Sequence, residues 1–73
     1  MNFNKQYYVV IVNNGDQKRR IEKYCEKHDI THCDSNAWLQ ISGDLFGRTI
    51  SMVTTPERFD KLMNKFDFLT RMC

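Results

Sequence analysis

Two thiols and two imidazoles lie close together in the first half of the chain, and their types suit a zinc ion. Cys25, His28, His32 and Cys33 could supply thiolate and imidazole ligands to a tetrahedral site. Structural zinc sites usually take two ligand pairs from separated segments, whereas these residues share one short stretch. The spacing of Cys25 and His28 also fits the apolar side of a helix. We therefore expect no metal ion and no other cofactor.

Covalent or acid–base catalysis has no stronger support in the sequence. A cysteine paired with His28 or His32 would need a third group to orient the pair and donors to stabilise an oxyanion, and no pattern indicates either. The aspartates are scattered through turns and helix starts, where Asp is common because it bonds to nearby backbone N–H groups. We therefore expect no catalytic residues and predict that the protein is not an enzyme.

A basic cluster, Lys18-Arg19-Arg20, lies at the start of a predicted helix. Cations at a helix N-terminus oppose the helix dipole, so three in succession suggest a bound anion such as a phosphate or a carboxylate. Arg48 could extend the cluster. The alternative is a solvent-exposed helix that tolerates a small dipole penalty.

The first half of the chain predicts a strand followed by a helix. Residues 6–13 are rich in β-branched and aromatic residues, and their central apolar run is unbroken, which is typical of a strand buried on both faces. A turn at 13–15 follows, and residues 16–28 show the helical period, with Asn14 or Asp16 as N-cap. The apolar side of this helix consists of Ile21, Tyr24, Cys25 and His28.

The second half predicts a hairpin and another helix. Residues 29–36 are polar and predict an irregular connection, whereas 37–42 and 48–54 alternate as strands do and are joined by the glycine-containing segment 43–47. The last helix begins near Pro56, either with a capping box of Thr54 and Glu57 or with Thr55 as N-cap. Residues 67–73 either end that helix or form a short final strand.

The order β-α-β-β-α, with an optional last strand, predicts one α+β domain over residues 1–73. It is the ferredoxin-like order, with an antiparallel sheet and both helices packed on one face. The layout resembles that of the small CRISPR-associated nucleases, in which an apolar first strand precedes a basic helix start like residues 16–20. That family has a metal-binding Asp at the end of the first strand, where this chain has Asn13 and Asn14. A divalent-dependent nuclease is therefore only a third functional alternative.

The first strand is apolar on both sides, although helices are expected on only one face of the sheet. Odd-numbered residues of 7–11 point to one face and even-numbered residues of 8–12 to the other. One set should therefore lie on the open face, near Trp38 and Val53, where an apolar patch usually marks an interface. The alternative is a patchy surface with tyrosine hydroxyls in solvent. The predicted contact residues are Tyr7, Tyr8, Trp38 and Phe46, with Lys18, Arg19, Arg20 and Arg48 as anion-binding or steering charges.

Composition limits the class of protein further. The 73 residues are 41% hydrophobic, enough for a folded core, and the net charge of +2 is far below that of a dedicated nucleic-acid packer. The N-terminus lacks a signal-peptide pattern, and no apolar run approaches the roughly 20 residues that span a bilayer. The odd number of cysteines, Cys25, Cys33 and Cys73, predicts reduced thiols in the cytoplasm.

These features predict a small non-enzymatic binding protein that regulates or inhibits a larger macromolecule by protein–protein contact. Small proteins without catalytic motifs are frequent among phage and mobile-element effectors, so we expect a phage protein that inhibits a host system in the host cytoplasm. Its partner would be another protein, or a second copy that forms a homodimer through the open sheet face. A nucleic-acid or phosphate-binding module that uses the basic cluster is the alternative function.

Overall fold

The computed structural model describes residues 4–72. The elements are β1 (Gln6–Val12), α1 (Gly15–Lys27), β2 (Thr31–Asp34), β3 (Leu39–Ser42), β4 (Leu45–Thr54), α2 (Pro56–Lys65) and β5 (Thr70–Met72). The strands form a five-stranded sheet in the order β2-β4-β1-β5, with β3 also paired to β4, and every pairing is antiparallel. The predicted α+β class, the antiparallel sheet and the two helices are confirmed.

The central strand β1 is buried on one face only. It pairs with β4 along its whole length and with β5 on its other side. The even-numbered residues Tyr8, Val10 and Val12 are buried, whereas Tyr7 is 69% exposed. The prediction of a strand buried on both faces is therefore wrong, because within residues 4–72 neither helix covers the odd-numbered side, where Val9 and Ile11 are half-buried.

Both helices contribute to the core on the even-numbered face of β1. Ile21 and Cys25 of α1 and Phe59 and Leu62 of α2 join these strand residues in one buried cluster. The ring of Tyr8 stacks on the ring of Phe59 with 3.9 Å between centroids. Ile21, Tyr24 and Cys25 of the predicted apolar side of α1 therefore pack on the core, whereas His28 at the end of that helix is exposed.

Side-chain caps fix where each helix begins. The Oδ1 atom of Asn14 accepts a hydrogen bond of 2.9 Å from the backbone N–H of Gln17, which makes Asn14 rather than Asp16 the N-cap of α1. Thr55 caps α2, and Pro56 takes its first position, where a missing N–H costs nothing. Of the two predicted starts of this helix, Thr55 as N-cap is therefore confirmed, and the capping box of Thr54 and Glu57 is excluded because Thr54 is a buried residue at the end of β4.

The segment between α1 and the hairpin forms a strand that the sequence did not predict. Polar residues 31–34 form β2, which pairs with residues 50–53 of β4. Ile30 is buried and its N–H donates to the carbonyl of Cys25, which directs the chain out of α1 and onto the sheet. A polar sequence is tolerated in β2 because it is an edge strand with half-exposed positions.

The hairpin is also longer than predicted. Residues 45–47 belong to β4, so the turn is limited to Gly43 and Asp44 between β3 and β4. Gly43 has a φ of 47°, in the left-handed region that glycine adopts without strain. Residues 70–72 form β5, which settles the open alternative for the tail in favour of a strand. Among the described residues, neither helix is long and apolar enough to cross a membrane.

The neighbouring tyrosines of β1 provide a direct test of this arrangement. We expect Tyr8→Ala to lower the free energy of unfolding by about 3–5 kcal/mol, because it removes a buried ring and leaves a cavity. Tyr7→Ala should change it by only about 0.5 kcal/mol, as at other exposed positions. Urea unfolding followed by circular dichroism measures both values. Equal losses for the two variants would show that the strand faces are assigned incorrectly.

Candidate functional site

The face of the sheet opposite the helices, here called the open face, contains the odd-numbered residues of β1 and β4. Directly paired strand residues share a face, so Val53 lies beside Tyr7 and Leu39 lies beside Gly47 on this side. Seven large hydrophobic side chains are exposed among the described residues. Five of them are on the open face: Tyr7, Leu39, Ile41, Leu45 and Val53.

Gly47 makes this apolar surface continuous between the central sheet and the hairpin. A Cβ atom at Gly47 would collide with the side chain of Ile41 and would lie 3.0 Å from Cγ2 of Ile11. Because glycine has no side chain, Ile41 can lie over the backbone of β4 and approach Ile11. The glycine is therefore buried within an otherwise exposed hairpin end.

The four predicted contact residues do not share one surface. Tyr7 lies on the open face as expected, whereas Tyr8 is 6% exposed and belongs to the core. Phe46 is exposed but occupies an even-numbered position of β4, on the same side as Arg48. The Trp38 ring also lies on that side, with its centroid 5.4 Å from the Arg48 guanidinium carbon. Neither aromatic residue joins Tyr7, and Tyr8 cannot contact a partner without unfolding.

Sequence reasoning missed Leu39, Ile41 and Leu45 as surface residues. The alternation that places Leu39 and Ile41 together was visible, but an apolar side of a strand is normally expected to face the core. The hairpin extends past the end of β1, which stops opposite Arg48, and beyond the core that the two helices cover. The described chain is accordingly elongated, with principal extents of 47 × 23 × 21 Å. The length of the hairpin, rather than the type of these residues, therefore explains why Leu39, Ile41 and Leu45 are exposed.

All four predicted anion-binding residues are paired with carboxylates. Lys18 Nζ lies 2.9 Å from Glu22 and 3.4 Å from Asp34, and Arg48 makes two hydrogen bonds to Asp34. Arg19 and Arg20 both pair with Asp16, at 4.0 and 3.2 Å. The structure thus brings Lys18 and Arg48 together, as predicted for an extended cluster. The anion that both of them bind, however, is the Asp34 carboxylate of the chain itself.

The Asp34 carboxylate holds β2, β4 and α1 together. Its side chain is 19% exposed, and that of Arg48 is 13% exposed. The hydrogen bond from Arg48 is the main reason that the pKa of Asp34 falls to about 2, with smaller contributions from the Asn36 N–H and Lys18. Asp34 also raises the pKa of Arg48 in return. No local sequence pattern pointed to Asp34, because its partners are on other elements.

The sheet separates Cys33 from the other three zinc-type residues. Cys25 lies on α1 and is buried in the core, and His28 follows at the end of that helix, whereas Cys33 is exposed and pairs with Ser51 on the open face. His32 lies on the helix side, with Nδ1 3.0 Å from the carbonyl oxygen of Ile30. Between residues 4 and 72, no group of three or more His, Cys, Asp or Glu side chains has the geometry to hold a metal ion. Cys73 lies outside the described residues.

No family model, no curated protein and no solved structure matches this chain.

The Asp34 ion pairs should make stability depend on acid pH. Because the folded pKa of about 2 is below the ordinary value near 4, the folded state binds fewer protons between these pH values. The stabilisation is therefore complete above pH ~4 and is lost as the pH falls toward 2. We expect Asp34→Asn to be less stable at neutral pH and to lose less stability over this window, as measured by urea unfolding at each pH. An equal loss of unfolding free energy between pH 4 and pH 2 in the wild-type protein and in Asp34→Asn would contradict this role.

The two described cysteines should differ in reactivity. Burial raises the pKa of the Cys25 thiol to about 11, so it holds almost no thiolate at neutral pH, whereas Cys33 is exposed. In a Cys73→Ser background, a thiol reagent should modify Cys33 quickly and Cys25 only after denaturant is added. Mass spectrometry of digested protein identifies the labelled residue. Rapid labelling of Cys25 in the native protein would contradict its place in the core.

Proposed function

We propose that this protein is a non-enzymatic binding protein that regulates or inhibits a larger protein, which it contacts through the open face. The observation that carries the proposal is the presence of five exposed hydrophobic side chains on one face of the sheet. They form two groups, one at Tyr7 and Val53 and one on the hairpin, which the half-buried Val9 and Ile11 connect along β1. Single exposed hydrophobic residues are common on soluble proteins, but a continuous apolar patch is typical of an interface.

The position of the patch supports binding to a protein in particular. Tyr7 and Val53, at the end of the patch remote from the hairpin, lie on the paired strands β1 and β4, so their backbone is fixed before a partner binds. Preorganisation of this kind lowers the entropic cost of association. Leu39 and Ile41 extend the same surface along the hairpin and are 66% and 51% exposed. An extended apolar strip on a rigid sheet fits a protein surface better than it fits a small polar ligand.

We also infer a ferredoxin-like topology in which the second strand is interrupted. The N–H of Ser35, just after β2, donates to the carbonyl of Thr49, and residues 39–42 of β3 then pair with the beginning of β4. If β2 and β3 are counted as one strand along the same edge of β4, the sheet has four strands. Their order across the sheet is then β5, β1, β4 and the combined β2 and β3, which is the order of the ferredoxin-like fold.

The alternative, a nucleic-acid or phosphate-binding module built on Lys18, Arg19, Arg20 and Arg48, has less support. Each of these cations already has a carboxylate within 4.0 Å, so an incoming phosphate would have to displace Asp16 or Asp34. An effector role for a phage or mobile element in the host cytoplasm remains a prediction from size and composition.

Neighbouring hairpin residues allow a matched test of the proposal. Ile41 is on the open face and Gln40 is on the other side of β3, and both are exposed. We expect Ile41→Lys to reduce retention of a partner protein by about tenfold or more, because it places a charge in an apolar contact. Gln40→Lys adds the same charge and should leave retention unchanged. The measurement is affinity purification of tagged protein from nuclease-treated host lysate, quantified by mass spectrometry.

Other outcomes of this experiment select different functions. Equal retention of one partner by both variants would rule out the open face as the contact surface. A partner that is retained from an untreated lysate and lost from the nuclease-treated one would instead favour the nucleic-acid alternative. Sedimentation velocity on the purified protein provides a second measurement. If the wild-type protein is a dimer and Ile41→Lys is a monomer, the open face is occupied by a second copy of the chain.

A further inference from the structure

A groove between α1 and α2 forms a second surface, on the side of the molecule opposite the open face. It has a volume of about 300 Å³. Arg20, Lys23 and Lys27 line it from α1, and Lys65 lines it from the last turn of α2. Tyr24 and Phe66 lie between these cations. None of the described lining residues is acidic.

The cations of α1 that line the groove lie on a different side of the helix from Glu22, whereas Asp16 shares their side. Arg20, Lys23 and Lys27 are at i, i+3 and i+7 and therefore share one side of the helix, toward α2. Glu22 is on the other side, where it pairs with Lys18. Between residues 4 and 72, Lys23, Lys27 and Lys65 have no carboxylate within ion-pair distance, and Arg20 has only the Asp16 carboxylate. The groove thus carries a local excess of positive charge, which the small net charge of +2 for the whole chain does not reveal.

The floor of the groove is apolar. The rings of Tyr24 and Phe66 meet edge to face with centroids 5.6 Å apart, and the Lys65 ammonium lies 5.8 Å from the Phe66 centroid. Phe66 is only 8% exposed, and His28 covers part of Tyr24 at a centroid distance of 4.2 Å. The Tyr24 and Phe66 rings therefore form a shallow apolar surface for contact, with the exposed ring of His28 at its edge.

We propose that this groove binds an acidic peptide segment of a partner protein. One apolar side chain of the segment contacts Tyr24 and Phe66, and flanking Asp or Glu carboxylates pair with the lysines on either side. The volume is at the low end of the roughly 300–1,000 Å³ found for ligand sites, which suits one or two side chains. A nucleic-acid backbone would satisfy the cations but would leave the apolar floor without an apolar partner. The groove and the open face use different residues, so this proposal does not depend on the open face.

Selection from a library of random linear peptides displayed on phage tests the proposal directly. Peptides enriched on the wild-type protein should contain Asp or Glu on both sides of a Leu, Ile, Phe or Met. The strongest peptide is then synthesised, labelled with fluorescein and titrated by anisotropy. We expect Lys65→Glu and Lys27→Glu each to raise its dissociation constant by about tenfold, because each reverses an attractive charge at the rim of the groove. Lys5→Glu makes the same change in charge away from the groove and should have little effect.

Several results would overturn the proposal. Failure to enrich any peptide, or enrichment of peptides without net negative charge, would exclude an acidic segment as the ligand. The proposal also fails if Lys5→Glu weakens binding as much as Lys65→Glu does, because the attraction would then be general to the surface. Oligothymidylate that binds more tightly than the peptide, and loses affinity in Lys65→Glu, would assign the groove to single-stranded nucleic acid. Circular dichroism of each variant establishes that the fold is unchanged.

Discussion

The structure depends on the pairing between β1 and β4, because this register decides which half of an apolar strand the helices cover. Tyr8 faces Met52 and Val10 faces Ile50, and these residues meet Phe59 and Leu62 of α2 in the core. A slip of one residue would exchange every side chain of β1 between the two faces. The core would then receive Tyr7 and Val9 in place of Tyr8 and Val10. The exposure of Tyr7 is therefore a consequence of the same register that builds the core.

The length of β4 explains most of the remaining architecture. Its ten residues form ladders with three other strands: β1 on one edge, and β2 and β3 in succession on the other. The chain must bend between β2 and β3, where Asn36 has a φ of 65° and its N–H donates to the Asp34 carboxylate. The same carboxylate binds Arg48 and Lys18, so the bend is attached to both the sheet and α1. The hairpin can extend beyond the helices because its base is held in this way.

Much of this fold could be predicted from local sequence, and the reasons are physical. The two helices show a clear period, and their caps at Asn14 and Thr55 are residue types that bond to free N–H groups. β2 could not be predicted, because its polar residues gain their strand conformation from pairing with β4 and not from intrinsic preference. The exposure of the hairpin residues was even harder to predict from the sequence. Alternation showed that Leu39 and Ile41 share a face, but whether a helix covers that face depends on contacts that are distant in sequence.

The two surfaces lie on opposite sides of the sheet, and this arrangement has consequences for how the protein can act. The core is one layer of side chains between the even-numbered residues of β1 and the helices, and the open face is the other side of the same strands. A partner on the open face would leave the groove between α1 and α2 accessible, so both could be occupied together. One surface is mainly apolar and the other combines cations with an apolar floor, which favours different partners or different parts of one partner. Binding at the groove should weaken with salt more than binding at the open face, because charge contributes mainly to the first. Salt dependence therefore distinguishes which side of the molecule a given partner occupies.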